Sequence, residues 1–193
     1  AARQPTPAQR QHQIAQRHGA VTPGQLDHSA AIAYNLCQLI CSSRWTVALI
    51  YLDYNCFQRG FDDPQQVRIQ MEALACQAIF SSAEQEAVTL VWSFMHQDET
   101  LLCPFPLRQH EALRLAALCK VRIGPEADIY VLAQTFQRKA NLAAKDAIHL
   151  ACAVFIQASV FITCDDNLIK RAKRLNLSIK FANPVDYIRQ EED

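Results

Sequence analysis

From residue 47 onward, short apolar runs alternate with longer stretches in which apolar residues recur every three or four positions. VALIYL (47–52), AVTLVWS (87–93), KVRI (120–123), SVFIT (159–163) and SIKF (178–181) read as strands. QVRIQMEALACQAIF (66–80), FMHQDETLL (94–102), RQHEALRLAALC (108–119), PEADIYVLAQTFQRKA (125–140), AKDAIHLACAVFIQA (144–158) and DNLIKRAKRL (166–175) predict helices, and NPVDYI closes the chain. Pro104 and Pro106 end the second of these helices, whereas Pro125 followed by Glu126 opens the fourth. Strands that are apolar throughout and separated by helices imply a parallel sheet covered on both faces, a Rossmann-like α/β fold.

Residues 1–46 follow a different pattern and are read as an extension to a domain spanning 47–193. The opening stretch is rich in Gln, Ala, Arg and Pro and offers few large apolar side chains to bury, which predicts a mobile start. LDHSAAIAYNLCQLICSS (26–43) has helical spacing, with Ile32, Leu36, Leu39 and Ile40 on one face and Asp27 or Ser29 as a cap. Such a face needs the domain, a second copy or a partner to lie against. The chain begins with Ala rather than Met, so a processed start and an upstream extension both fit, and no chemistry is assigned to this segment.

At 193 residues the chain fits one domain with an appendage, and its 50% apolar and 20% charged composition is that of an ordinary globular protein. Nineteen basic residues balance nineteen acidic ones, so any electrostatic attraction to a partner must be local. No run reaches about 18 apolar residues and no signal peptide pattern opens the chain, so the expected compartment is the cytoplasm, with no membrane partner. The eight cysteines show no C-x-x-C pair and sit mostly in apolar stretches, which predicts reduced, buried thiols.

Ligands in an open α/β sheet gather outside the carboxyl ends of its strands. Asp53 follows VALIYL, Asp98 and Glu99 lie about a helical turn or two beyond AVTLVWS, and Asp165 and Asp166 follow SVFIT. Asp146 opens the helix before SVFIT and can face the same edge. Each acid alone has a structural explanation, as a cap, a first-turn acid or a solvated side chain. Those explanations give no reason for four segments to deliver acids to one rim. Convergent carboxylates repel unless a cation neutralises them, and an all-oxygen set suits Mg²⁺ or Mn²⁺. Acids without a nucleophile point to hydrolysis by metal-activated water.

YLDYNCFQRGFDD, VWSFMHQDE, AKDAIHLACA and FITCDDNLIKRAKRL, taken in order, resemble the PIN-domain ribonucleases, and in particular the VapC-type toxins of toxin–antitoxin pairs. The resemblance covers about residues 47–188. It implies a PIN-like sheet and Mg²⁺- or Mn²⁺-dependent cleavage of RNA, with a cognate antitoxin as a possible partner; the 26–43 helix, outside the resemblance, could pair with a second copy or an antitoxin. The family's four acids fall on Asp53 in LDYN, Glu99 (with Asp98 as fallback), Asp146 in KDAIHLA and Asp165 in TCD. Asn55, Thr163 and Asp166 match supporting polar positions. The hydroxyl residue usual after the first aspartate is replaced by Tyr54, which can turn away or narrow the pocket.

Around the acids, KRAKR supplies Lys170, Arg171, Lys173 and Arg174, placed where an RNA backbone would pass, with Arg59 and Arg68 extending the rim. His149 shares nearly the same helix face as Asp146 and is read as a structural, hydrogen-bonded histidine. Trp92, Phe94 and Phe57 read as core. A haloacid-dehalogenase-type phosphatase needs a second aspartate where Asn55 stands, and a response-regulator receiver needs a different order of acids. A catalytically weak PIN-like module that grips RNA or a protein is the third reading.

Overall fold

The protein is described by a computed structural model over residues 47–192. The expected extension and its helix at 26–43 lie outside the described residues. Five strands, β1 (Ala48–Leu52), β2 (Val88–Ser93), β3 (Val121–Ile123), β4 (Val160–Ile162) and β5 (Lys180–Ala182), form one sheet in the order β3-β2-β1-β4-β5. Every pairing is parallel, with Ile50 opposite Leu90 on one side and Val160 on the other. The expected fold class, a parallel α/β sheet flanked by helices, is the one found.

Eight helices connect and close the sheet among the described residues: α1 (Tyr54–Gln58), α2 (Val67–Glu84), α3 (Phe94–Leu102), α4 (Pro106–Ala116), α5 (Ala127–Ala140), α6 (Ala144–Phe155), α7 (Asp166–Ala172) and α8 (Pro184–Glu192). Side chains alternate across β1, as the two-residue period of a strand requires. Ile50 and Leu52 enter a core with Cys76, Ile79 and Phe80 of α2, Leu115 of α4 and Tyr187 of α8. Tyr51 points to the opposite face, where its ring stacks on Phe161 at 5.6 Å and its hydroxyl meets α6. Trp92 and Phe57 are buried in the core as expected, and Phe94, half-buried, packs against Tyr130 at 5.7 Å.

Several boundaries differ from those read in the sequence. The one-turn helix α1 was not anticipated, because five residues are too few to show a helical repeat. NPVDYI belongs to a full helix, α8, opened by Pro184. Pro106 does not merely end α3: it occupies the first turn of α4, where a proline loses no helical hydrogen bond. The stretch 166–175 is an α-helix to Ala172 that tightens into a 3₁₀ turn, Lys173–Leu175.

This topology decides where a site can form. The chain runs outward from β1 through β2 to β3, then returns to place β4 and β5 on the other side. The strand order therefore reverses between β1 and β4, and a crevice opens beyond their carboxyl ends. Asp53 and the Thr163–Asp165 turn stand at that point. The Asp53 amide donates to the Ile162 carbonyl at 2.8 Å, carrying the β1–β4 ladder one residue past the strand.

Candidate metal centre

Asp53 is 7% exposed and caps α1, its Oδ1 accepting the Tyr54 amide at 2.8 Å. Its Oδ2 accepts from Asn55 Nδ2 and from Thr163 Oγ1, both at 2.6 Å. Asn55 also donates to Thr163 Oγ1 at 2.9 Å and accepts the Cys164 amide at 3.1 Å. Asn55 and Thr163 thus fasten the end of β1 to the end of β4 and fix the Asp53 carboxylate between them. Tyr54 lies half-buried with its hydroxyl taking a hydrogen bond from Gln58 at 3.3 Å, and that hydroxyl makes none to an acid among the described residues.

Glu99 projects from α3 and receives His149 Nε2 at 2.9 Å on one oxygen and Lys145 Nζ at 3.2 Å on the other. The same His149 nitrogen stands 4.0 Å from Asp53 Oδ1, so one imidazole bridges acids from two strand ends. Asp98, the fallback for this position, is exposed. Asp146 sits in the first turn of α6, half-buried, and makes no hydrogen bond or ion pair among the described residues. Asp165 is exposed and caps α7, with Oδ1 accepting from Asn167 and Leu168 amides at 2.7 and 3.1 Å.

The electrostatics link the four acids. Burial pushes the Asp146 carboxyl above its ordinary range, and the negative charges of Asp53, Asp165 and Glu99 push the same way. Burial also raises Asp53; His149 and Thr163 counter it in part, while Glu99 adds to it. For Glu99, burial alone would raise the carboxyl, but His149 and then Lys145 hold it below its usual value. The acids face one another without closing on one point. Among the described residues, the single set of three or more His, Cys, Asp or Glu ligand atoms all within 4.8 Å of one another is a trio of cysteines. Like-charged carboxylates repel one another, which favours such spacing.

The donor set of Asp53, Glu99, Asp146 and Asp165 is hard oxygen throughout, which fits Mg²⁺ or Mn²⁺ and not a thiophilic ion. Asp146 and Asp165 Oδ2 have no partner among the described residues, and each Glu99 oxygen keeps a second lone pair beside its present donor.

Behind the acids runs a buried polar chain that the sequence did not expose. Tyr51 Oη lies 2.8 Å from His149 Nδ1 and 2.7 Å from Ser93 Oγ, and Ser93 Oγ lies 2.9 Å from His96 Nδ1. The Ser93 amide donates to His96 Nδ1 at 2.9 Å, so that nitrogen accepts and Nε2–H donates to the Leu52 carbonyl at 2.7 Å. Burial, then the neighbouring His149, holds His96 well below the usual histidine value, in keeping with a neutral ring. A carboxylate can only accept, so His149 donates through Nε2 to Glu99 while Tyr51 serves Nδ1. His149 is hydrogen-bonded as expected, yet it also orients an acid. Its proximity to Asp146 in AKDAIHLA was the available signal; Tyr51, Ser93 and His96 gave none, being single polar residues in apolar or mixed runs.

The expected supporting and basic residues divide. Asp166 turns from the acids and pairs with Arg68 at 2.8 Å. Arg59 pairs with Glu72 and with Asp62, so neither arginine offers a free cation to the rim. Lys170, Arg171, Lys173 and Arg174 are exposed, with Arg171 donating to the Asn141 carbonyl at 3.0 Å. Lys170 shares a shallow groove with Asn55 and Asp165. No described helix is long and apolar enough to cross a membrane.

No known family model matches the sequence, and no curated protein matches it. Among solved structures, a similar chain occurs in VapBC2 from Rickettsia felis, bound to a DNA fragment from their promoter. It is 12% identical, with a TM-score of 0.46, over 70% of this chain and 98% of that one.

Proposed function

We propose that the protein is a metal-dependent endoribonuclease, the toxin of a toxin–antitoxin pair, acting in the cytoplasm. The observation that carries this reading is Asp146: a half-buried carboxylate with no cation partner among the described residues, pushed up by burial and by three acids from three other segments. Folding has gathered negative charge that a divalent ion would relieve. The four motifs that resemble PIN-domain ribonucleases contribute those same four acids.

Asp53, Glu99, Asp146 and Asp165 would hold one or two Mg²⁺ or Mn²⁺ ions, which supply Lewis acidity toward water and the phosphodiester. Asn55 and Thr163 hold Asp53 in place through its Oδ2, and His149 and Lys145 hold Glu99. Lys170 and its neighbours on α7 and the following turn would draw the RNA backbone along the groove that reaches Asp165. Exposed Leu101, Leu102, Phe105 and Leu107 provide an apolar surface for an antitoxin or a second copy.

The test is incubation of the purified protein with structured and unstructured end-labelled RNAs, in Mg²⁺, Mn²⁺ or chelator. Cleavage should require the ion and vanish in Asp53→Asn and Asp146→Asn. Identical RNA patterns with ion and with chelator reject the hydrolytic role. A Mn²⁺-induced rise in Tm without cleavage points instead to a PIN-like binding module.

A further inference from the structure

Three cysteines not used by the acidic site meet in the core. Cys56 comes from α1, Cys76 from α2 and Cys164 from the turn between β4 and α7. Their sulfurs all lie within 4.8 Å of one another, with Cys56 and Cys164 Sγ 4.0 Å apart. All three are free thiols, 2, 3 and 7% exposed respectively. Cys119 and Cys152 are buried as well, yet each stands apart from any such group of ligand atoms. Packing alone gives no reason to bring three sulfurs from three segments to one point.

We propose that Cys56, Cys76 and Cys164 form a second metal site, a three-sulfur cradle for a thiophilic ion such as Cu⁺ or Zn²⁺. Three sulfurs at about 2.3 Å from one ion in a plane stand about 4.0 Å apart, the separation already present between Cys56 and Cys164. Soft thiolates select such ions over Mg²⁺ and Mn²⁺, so the two sites do not compete. Each thiol gives its proton to solvent as its metal–sulfur bond forms. The nearby Glu72 carboxylate is already held by Arg59, Arg68 and Asn183 and is not available as a fourth ligand. Cys56 and Cys76 line an open cleft of about 470 Å³ with Gly60, Phe61 and Gln77, which gives the ion a route from solvent and a water for Zn²⁺. Because the Cys164 amide is hydrogen-bonded to Asn55, an ion here would tie α2 to the turn that carries Asp165.

The experiment adds one equivalent of Cd²⁺, as a spectroscopic probe, to the reduced full-length protein without oxygen. A sulfur-to-cadmium charge-transfer band in the ultraviolet should saturate at one ion per chain, and Tm should rise. Cys56→Ser, Cys76→Ser and Cys164→Ser should each weaken the band. Cys119→Ser, Cys152→Ser and the double Cys37→Ser, Cys41→Ser variant should keep it, as should Asp53→Asn, which separates this site from the acids. X-ray absorption on the unmutated protein loaded with Cu⁺ or Zn²⁺ decides the matter even where a variant fails to fold. Three sulfurs alone around Cu⁺, or three sulfurs and one oxygen around Zn²⁺, support the site. Fewer than three sulfurs with both ions, or an undiminished band in Cys76→Ser, overturns it.

Discussion

Asp146 and Glu99 show how differently a neighbourhood treats two acids of the proposed site. At Asp146, burial and the charges of Asp53, Asp165 and Glu99 outweigh the opposing pull of His149, so its folded-state value is raised. A raised acid favours the folded state while protonated and penalises it as pH climbs through that raised value. Asp146→Asn should therefore raise the metal-free Tm at neutral pH by a few degrees, while removing the further rise that Mn²⁺ gives to the parent protein. Thermal melts with and without Mn²⁺ read both effects, and a lower metal-free Tm in the variant would contradict the electrostatic account. Glu99 instead has Lys145, 57% exposed, on one oxygen. That ammonium competes with an incoming cation, so Lys145→Met should tighten Mn²⁺ binding by a few-fold in a calorimetric titration.

At the scale of elements, one buried carboxylate on α2 ties together the turn after α1 and the residue between β5 and α8. Glu72 of α2 is 1% exposed and takes hydrogen bonds from Arg59, from Arg68 at 2.8 Å and from Asn183 Nδ2 at 2.7 Å. Burial alone would raise its carboxyl, but Asn183, Arg68 and Arg59 together hold it below the usual glutamate value. The stability it contributes is present above the ordinary glutamate range and is lost as pH falls through the lowered value. Arg59→Ala should cost about 3 kcal/mol, the low end for a broken buried pair because two donors remain. It should also move the acid-unfolding midpoint to higher pH. Denaturant melts across the acid range test both. The short helix α1 shows why such a join was hard to read in the sequence. It forms because Asp53 caps it and Phe57 buries itself, and neither leaves a periodic trace in five residues.

Across the whole molecule, formal charge sums to zero, so the proposed RNA binding would rest on a local cluster such as the one at 170–174. Arg59 and Arg68 spend their charge on Glu72, Asp62 and Asp166, which leaves the exposed Lys170 and Lys173 as the cations to remove. Lys170→Ala with Lys173→Ala should weaken RNA binding evenly across sequences. It should also lower the dependence of log K on log salt by about 1.4, or ~0.7 per contact for a single strand. Filter binding at several salt concentrations measures the slope, and an unchanged slope would remove these lysines from the RNA path.

The strands and most helices could be read along the chain, because apolar periodicity is a local pattern, and the candidate acids Asp53, Asp146 and Asp165 stood out because a charge just past a strand or in a helix's first turn is local too. Choosing Glu99 over its neighbour Asp98 was less secure, since adjacent residues differ only in which way a helix turns them. Tertiary structure alone decided that His149 touches Glu99 and stands near Asp53, that Arg59 and Arg68 are consumed by acids, and that Cys56, Cys76 and Cys164 share one point. These contacts join residues from separate segments, and their distances are set by how helices pack on the sheet. No spacing in a linear chain encodes that packing.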